Sequence, residues 1–252
     1  MTDPVSALIA SKGWLVADGA TGTNLFGRGL ETGYPPELWS VERPEDILWL
    51  HDSFLTAGSD LVLTNSFGGT SFRLKLHDAQ DRVGELNRAA AKLARQAVDA
   101  HIARTGKQAL VAGSIGPSGE LFEPLGALTH DAAVAAFTQQ AQALVDGGVD
   151  VLWIETMSSN EEVGAAIMAA RTIGLPICAT MTFDTASRSM MGVTPDAFAR
   201  FATAAGANFI GANCGIGPAE LLHSVQGMVP AAGEVPVAAK GNCGVPAYVE
   251  GK

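Results

Sequence analysis

Seven short apolar runs alternate with alanine-rich segments along the chain, and this alternation restricts the fold more than any other feature. The runs are rich in aliphatic and β-branched residues and end in small or polar residues, which is typical of β-strands. They cover residues 14–18, 60–65, 109–114, 149–155, 175–182, 207–214 and 235–241. Segments between them, such as 82–102 and 132–146, have apolar residues at helical spacing. The repeating unit is therefore predicted to be strand, helix, strand.

Strands that are apolar without alternation are buried on both faces, which indicates a parallel sheet covered by helices. No Gly-x-Gly-x-x-Gly turn follows the first run, so an open dinucleotide-binding sheet is disfavoured. Polar residues at the ends of many runs favour the mouth of a barrel instead. We therefore predict an α/β fold, a (β/α)8 TIM barrel, as a single domain over 1–252, with the eighth strand missing from the printed chain.

The charge pattern argues against nucleic acid and membrane partners. The net charge is -10, Asp and Glu outnumber Lys and Arg by 26 to 16, and no basic cluster interrupts that excess. No apolar run is long enough to cross a membrane, and residues 1–13 do not resemble a signal peptide. We expect a cytoplasmic protein. The three cysteines are too few and too scattered for a disulfide framework, so we expect reduced thiols.

Cys214 and two carboxylates are the first candidates for chemistry. Cys214 ends an apolar run before a glycine, where its sulfur can bind a soft metal or react; the alternative is a core position, common for free cysteine. Glu155 also ends an apolar run, where an unpaired charge is costly, so it should face a cation or hydrogen-bond donors. The alternative for Glu155 is a structural ion pair.

Six short motifs resemble, in order, those of the homocysteine S-methyltransferase family, which includes betaine-homocysteine methyltransferase and the homocysteine-binding module of cobalamin-dependent methionine synthase. They are Asp-Gly-Ala-Thr-Gly-Thr at 18–23, Leu-Thr-Asn-Ser-Phe at 63–67, Gly-Ser-Ile-Gly-Pro at 113–117, Ile-Glu-Thr at 154–156, Gly-Ala-Asn-Cys at 211–214 and Lys-Gly-Asn-Cys-Gly at 240–244. The resemblance implies a methyltransferase that carries a methyl group from a small donor to homocysteine and gives methionine.

The resemblance also implies a zinc ion held by three cysteines, which converts the thiol of homocysteine into a thiolate nucleophile. Cys214 matches the first cysteine ligand, and Asn242 matches a position that can offer an oxygen ligand. The family's other two ligands form a Gly-Gly-Cys-Cys run that is absent through Lys252, and Cys243 does not match them. We therefore expect a longer protein whose remaining cysteine ligands lie beyond Lys252.

For the acceptor, the resemblance implies that Asp18 and Glu155 receive the ammonium group of homocysteine. Asn65 and Ser66, with the backbone amides of Gly19 and Ala20, are expected to hold its carboxylate. The alternative for the two side chains is turn capping.

The methyl donor is left open between betaine, a sulfonium compound and a methylated folate. Tyr34 and Trp39 can supply rings for a betaine cage, but Thr156 and Gly68 stand where vertebrate-type betaine enzymes have tyrosines. Two other functions are also open: a Schiff-base lyase or aldolase that uses Lys240, and a non-catalytic protein that binds an amino acid. The state of assembly is left open, with a homo-oligomer as one option.

Overall fold

The computed structural model describes residues 3–244, and its centre is one parallel sheet. The six strands follow one another in the order β1 (Leu61–Leu63), β2 (Leu110–Ile115), β3 (Val151–Met157), β4 (Ile177–Met181), β5 (Phe209–Cys214) and β6 (Val237–Gly241). Each strand pairs in parallel with the next, as Val62 with Val111 and Cys214 with Gly241. Six of the seven predicted runs are therefore strands.

The first predicted strand, at residues 14–18, is only a single parallel bridge between Ala17 and Leu61. The carboxylate of Asp60 accepts the backbone N–H of Val16 at 2.9 Å, so this amide is not available for a ladder. The run still lies along the edge of β1, because the N–H of Asp18 donates to the carbonyl of Leu61 at 2.9 Å.

Helices separate the strands, as the alanine-rich segments predict. Within residues 3–244 they are α1 (Pro4–Lys12), α2 (Gly22–Phe26), α3 (Trp39–Glu42), α4 (Pro44–Ala57), α5 (Ser71–Leu74), α6 (Val83–Thr105), α7 (His130–Asp146), α8 (Asn160–Arg171), α9 (Pro195–Ala205) and α10 (Pro218–Ala232), with short 3₁₀ turns at 36–38, 75–77, 80–82 and 185–187. The hydroxyls of Thr129 and Ser159 cap α7 and α8 by accepting backbone N–H groups. None of these helices has both the length and the apolar character that a bilayer span requires.

Both faces of the sheet are apolar, as the sequence predicts. The outer face packs against the helices, with Ile154, Ile210 and Phe198 fully buried. The inner face carries the alternate residues of each strand, and Val5 of α1 closes it at the amino-terminal end. The inner-face cluster comprises Val5, Leu61, Leu63, Leu110, Ala112, Val151, Trp153, Cys178 and Phe209.

The sheet curls so that its two edges approach each other. The ammonium group of Lys240 in β6 donates to the carbonyl of Gly19, which follows the first run, at 3.3 Å. Trp14 and Ala17 from one edge and Ala238 from the other line the same cavity of about 480 Å³. The described residues thus form a curled half-barrel with six strands, and a closed barrel of eight strands is not seen within 3–244.

Leu144 gives a direct test of the outer apolar layer. Its side chain in α7 is fully buried, whereas that of Leu125 is 72% exposed. We expect Leu144→Ala to lower the free energy of unfolding by about 2–5 kcal/mol and Leu125→Ala to change it by less than about 0.5 kcal/mol. Denaturant titrations of both variants measure the difference, and equal losses would contradict this packing.

Candidate functional site

The inner face of the sheet changes from apolar to polar at the carboxyl ends of its strands. We call this set of side chains the polar layer. It consists of Asp18, Ser114, Glu155, Thr180, Asn213 and Lys240. Each of them except Lys240 is less than one-tenth exposed. Because side chains alternate between the faces of a strand, Glu155 lies directly above Trp153, and Thr180 above Cys178. The polar layer therefore stands on the apolar inner cluster.

Asp18 is a buried carboxylate with one unsatisfied oxygen. Its Oδ2 accepts the backbone N–H of Leu63 at 2.8 Å. Its Oδ1 is buried, has no hydrogen-bond partner within residues 3–244 by the distance and angle of the groups around it, and lies 3.5 Å from the ammonium nitrogen of Lys240. Burial raises the pKa of Asp18 to about 6, although Lys240 acts in the opposite direction. This oxygen is therefore available to a further donor.

Glu155 is the second buried carboxylate of the polar layer. Its Oε1 accepts the hydroxyl of Ser114 at 2.5 Å. Burial raises the pKa of Glu155, while the positive charge of Lys240 and the Ser114 hydrogen bond act against the increase. Glu155 and Asp18 also repel each other, which contributes to the raised pKa of Asp18. The structure thus brings together the two acidic residues that the sequence selects, and places one lysine beside them.

Cys214 lies at the rim of this layer, half-buried at the end of β5. Asn213 Nδ2 lies 3.4 Å from its sulfur, and Thr156 Oγ1 lies 3.6 Å from it. Asn213 is almost fully buried and also accepts the Thr180 hydroxyl at 2.8 Å and the Thr156 N–H at 2.9 Å. Its amide group therefore ties together the ends of three strands around the thiol.

The backbone is strained next to the thiol. Cys214 has φ 56° and Thr156 has φ 62°, values in the left-handed region that residues other than glycine rarely adopt. A register shift in the pairing of β3 with β4 accompanies the turn at Thr156. Such conformations cost about 1–3 kcal/mol each and are concentrated at functional sites. The strain therefore supports a functional role for the rim at Cys214.

The other predicted binding residues differ in how available they are. The Asn65 side chain donates to the carbonyl of Pro36 at 2.7 Å, and the Ser66 hydroxyl donates to the carbonyl of Ser114 at 2.7 Å, so both side chains have partners inside the protein. The amide groups of Gly19 and Ala20, by contrast, donate to no atom of the described part of the chain.

Of the three cysteines, all within the described residues, only Cys214 stands at the rim of the polar layer. Asn242 is exposed, and its side chain donates to the carbonyl of Gly215 at 2.9 Å. Cys243 is exposed and Cys178 is buried. No group of three or more His, Cys, Asp or Glu within residues 3–244 is placed to hold a metal ion. The described residues fit one ligand position of a sulfur-rich site and do not form a complete one.

The aromatic residues considered for a betaine cage have other partners. Trp39 is buried, and the guanidinium of Arg43 lies 4.1 Å from its ring centroid. The Tyr34 hydroxyl donates to Glu42 at 2.7 Å.

Sequence reasoning missed Thr180 and Asn213 as parts of the site. The signal available in the sequence was the alternation of side chains along a strand. It places Thr180 on the same face as Cys178, and Asn213 on the same face as Phe209.

Comparisons with known proteins agree with this geometry. A family model described as homocysteine S-methyltransferase matches residues 15–252. The fold is similar to that of the homocysteine methyltransferase MmuM from Escherichia coli, in its metallated form (TM-score 0.84, 25% identity, covering 96% of this chain and 88% of that chain) and in its oxidized form (TM-score 0.83, 26% identity, covering 96% and 87%).

Two curated relatives are larger proteins. Methionine synthase from Mycobacterium tuberculosis is 29% identical, over 94% of this chain and 21% of the relative. Methionine synthase from Mycobacterium leprae is 29% identical, over 92% of this chain and 20% of the relative. The chain spans about one fifth of the length of these relatives.

The fold places the chain among α/β proteins with a parallel sheet, the architecture it has in common with MmuM. The chain belongs to the homocysteine S-methyltransferase family. This membership confirms the resemblance seen in the six motifs.

The raised pKa of Asp18 predicts a pH-dependent stability. An aspartate whose pKa is about 6 when folded, against 3.8 as its ordinary value, retains its proton over a range where the unfolded chain has lost it. The contribution of Asp18 to stability should therefore be complete below about pH 4 and fall by about 3 kcal/mol as the pH rises above 6.

Denaturant titrations of the protein and of Asp18→Asn between pH 4 and pH 7 measure this contribution, because the amide that replaces the carboxyl group cannot titrate. The stability difference between the two proteins should shift in favour of the variant as the pH rises. A difference that does not change with pH, or shifts the other way, would show that Asp18 is not held in a desolvated position.

Proposed function

We propose that this protein transfers a methyl group from a small donor to the sulfur of homocysteine and thereby forms methionine. One observation carries the proposal: in a chain of this family, the thiol of Cys214 and the buried carboxylates Asp18 and Glu155 share one mouth of the half-barrel. An amino acid with a side-chain thiol needs carboxylates for its ammonium group and a second group, here Cys214, near its sulfur. The names of the similar proteins, a homocysteine methyltransferase and methionine synthases, support the same substrate.

In this proposal Asp18 and Glu155 receive the ammonium group of homocysteine. The unsatisfied Oδ1 of Asp18 and the low exposure of both carboxylates make an added cation favourable there. The amides of Gly19 and Ala20, which donate to no atom of residues 3–244, can donate to the substrate's carboxylate. Burial of the ammonium head in the polar layer then directs the thiol toward the rim where Cys214 lies.

We include zinc in the proposal, with Cys214 as one of its ligands. A half-buried thiol that already accepts an N–H from Asn213 fits a thiolate ligand, because donors to sulfur stabilise its negative charge. When bound, zinc supplies the deprotonation of the acceptor thiol at neutral pH. Asn242 stays a weaker proposed ligand.

Betaine, a sulfonium compound and a methylated folate all remain proposed donors. The packing of Trp39 against Arg43 gives no support to a ring cage for betaine. A cytoplasmic location and a single domain are proposed with the same function. The Schiff-base alternative for Lys240 has no observation in its favour, because this lysine is paired with Asp18.

Cys214→Ala tests the proposed function. The substitution removes the thiol at the rim, so methionine formation from homocysteine should fall at least 100-fold with every donor that the protein uses. The fold should be retained, because Cys214 belongs to none of the four apolar clusters of the described residues. Methionine is measured by chromatography and the fold by circular dichroism. The assay uses the complete protein, with any residues that follow Lys252.

Cys243→Ser is the matched control, since Cys243 is an exposed thiol outside the polar layer. It should keep activity close to that of the unmodified protein. Full activity in Cys214→Ala would rule out the proposed role of this thiol.

A further inference from the structure

Lys240 is a cation built into the acidic part of the polar layer. Its side chain is 21% exposed, its ammonium group lies 3.5 Å from Asp18 Oδ1, and it donates to the carbonyl of Gly19 at 3.3 Å. Its positive charge also acts on Glu155. Among the described members of the polar layer, Lys240 is the only cation, so two buried carboxylates share one ammonium group. In a ligand-free protein the lysine therefore serves as their counter-ion.

This arrangement changes when an amino acid binds. If the ammonium group of the substrate reaches Asp18 and Glu155, it takes over the neutralisation that Lys240 provides. The lysine has a flexible four-carbon stem, so its ammonium group can turn to a new anion without movement of β6. The α-carboxylate is the anion that arrives with the substrate, attached to the same carbon as the ammonium group.

The other groups predicted to bind the α-carboxylate of the substrate are weaker partners than Lys240. The side chains of Asn65 and Ser66 are hydrogen-bonded to backbone carbonyls inside the protein. The amides of Gly19 and Ala20 are neutral donors, and Lys240 already contacts the carbonyl of Gly19. Lys240 is therefore a charged donor in contact with the same residue, Gly19, whose amide is expected to bind the carboxylate.

We propose that Lys240 determines specificity by pairing with the α-carboxylate of the acceptor, after acting as the counter-ion of Asp18 and Glu155 in the empty site. The inference rests on the proposed function, because it takes the acceptor to be an amino acid. In this proposal Lys240 distinguishes between thiol substrates. It favours α-amino acids that carry a thiol over aminothiols that have no carboxylate.

The test compares two ligands that differ only in the carboxylate, homocysteine and 3-aminopropane-1-thiol. Calorimetric titration of the complete protein should show that homocysteine binds more tightly. In Lys240→Met, homocysteine should bind about 10- to 100-fold more weakly, which is the usual effect of losing one charged hydrogen bond. Binding of the aminothiol should stay the same or improve, so the preference between the ligands should disappear.

Two further variants protect the test from a folding defect. Lys240→Gln is neutral but keeps a hydrogen-bond donor toward Gly19, and it should lose the preference as Lys240→Met does. Lys12→Met removes another lysine–aspartate pair, with Asp60, at the opposite end of the sheet, and it should keep the preference.

The outcomes separate this inference from the proposed function. An unchanged preference in both Lys240 variants would overturn the inference and show that the lysine is a structural ion pair, whatever the turnover. The absence of any preference in the unmodified protein would overturn it as well. Methionine formation is measured on the same preparations. Loss of the preference in Lys240 variants of a protein that forms no methionine would support the lysine assignment and contradict the proposed reaction.

Discussion

The burial of two carboxyl groups beside one lysine is the interaction on which the site depends. Asp18 and Glu155 lie at the carboxyl ends of parallel segments, where water is largely excluded. Their desolvation is unfavourable without partners, and the structure provides Lys240, the hydroxyl of Ser114 and the amide of Leu63. One oxygen of Asp18 still has no hydrogen-bond partner in the described part of the chain. A site of this kind favours a ligand that brings its own ammonium group.

The fold produces this site through the alternation of side chains. On the inner face, the strands β2 to β6 carry apolar residues near their amino-terminal ends and a polar residue near their carboxyl ends, so the apolar inner cluster supports the polar layer. The curl of the sheet then brings Lys240 of the last described strand to Asp18 beside the first. At the rim, the amide of Asn213 joins Thr156 and Cys214, both in the left-handed region. A flat sheet would leave these groups far apart.

The sequence predicts the strands and helices better than it predicts the hydrogen-bond partners of individual residues. Apolar runs and helical periodicity are local signals, and they correctly place six strands, the helices between them and Asp18, Glu155 and Cys214 near strand ends. The hydrogen bonds of Asn65 and Val16 are made with residues distant in the chain, Pro36 and Asp60. No local pattern in the sequence indicates these contacts. For the same reason the run at 14–18 is a single bridge and not a full strand.

The most direct test of the central claim is a crystal structure of the protein with homocysteine bound. The ammonium nitrogen of homocysteine should lie within about 3 Å of a carboxylate oxygen of Asp18 or Glu155. The sulfur of the ligand should lie on the side of Cys214. An amino acid bound outside the polar layer, or one with its sulfur directed away from Cys214, would contradict the account.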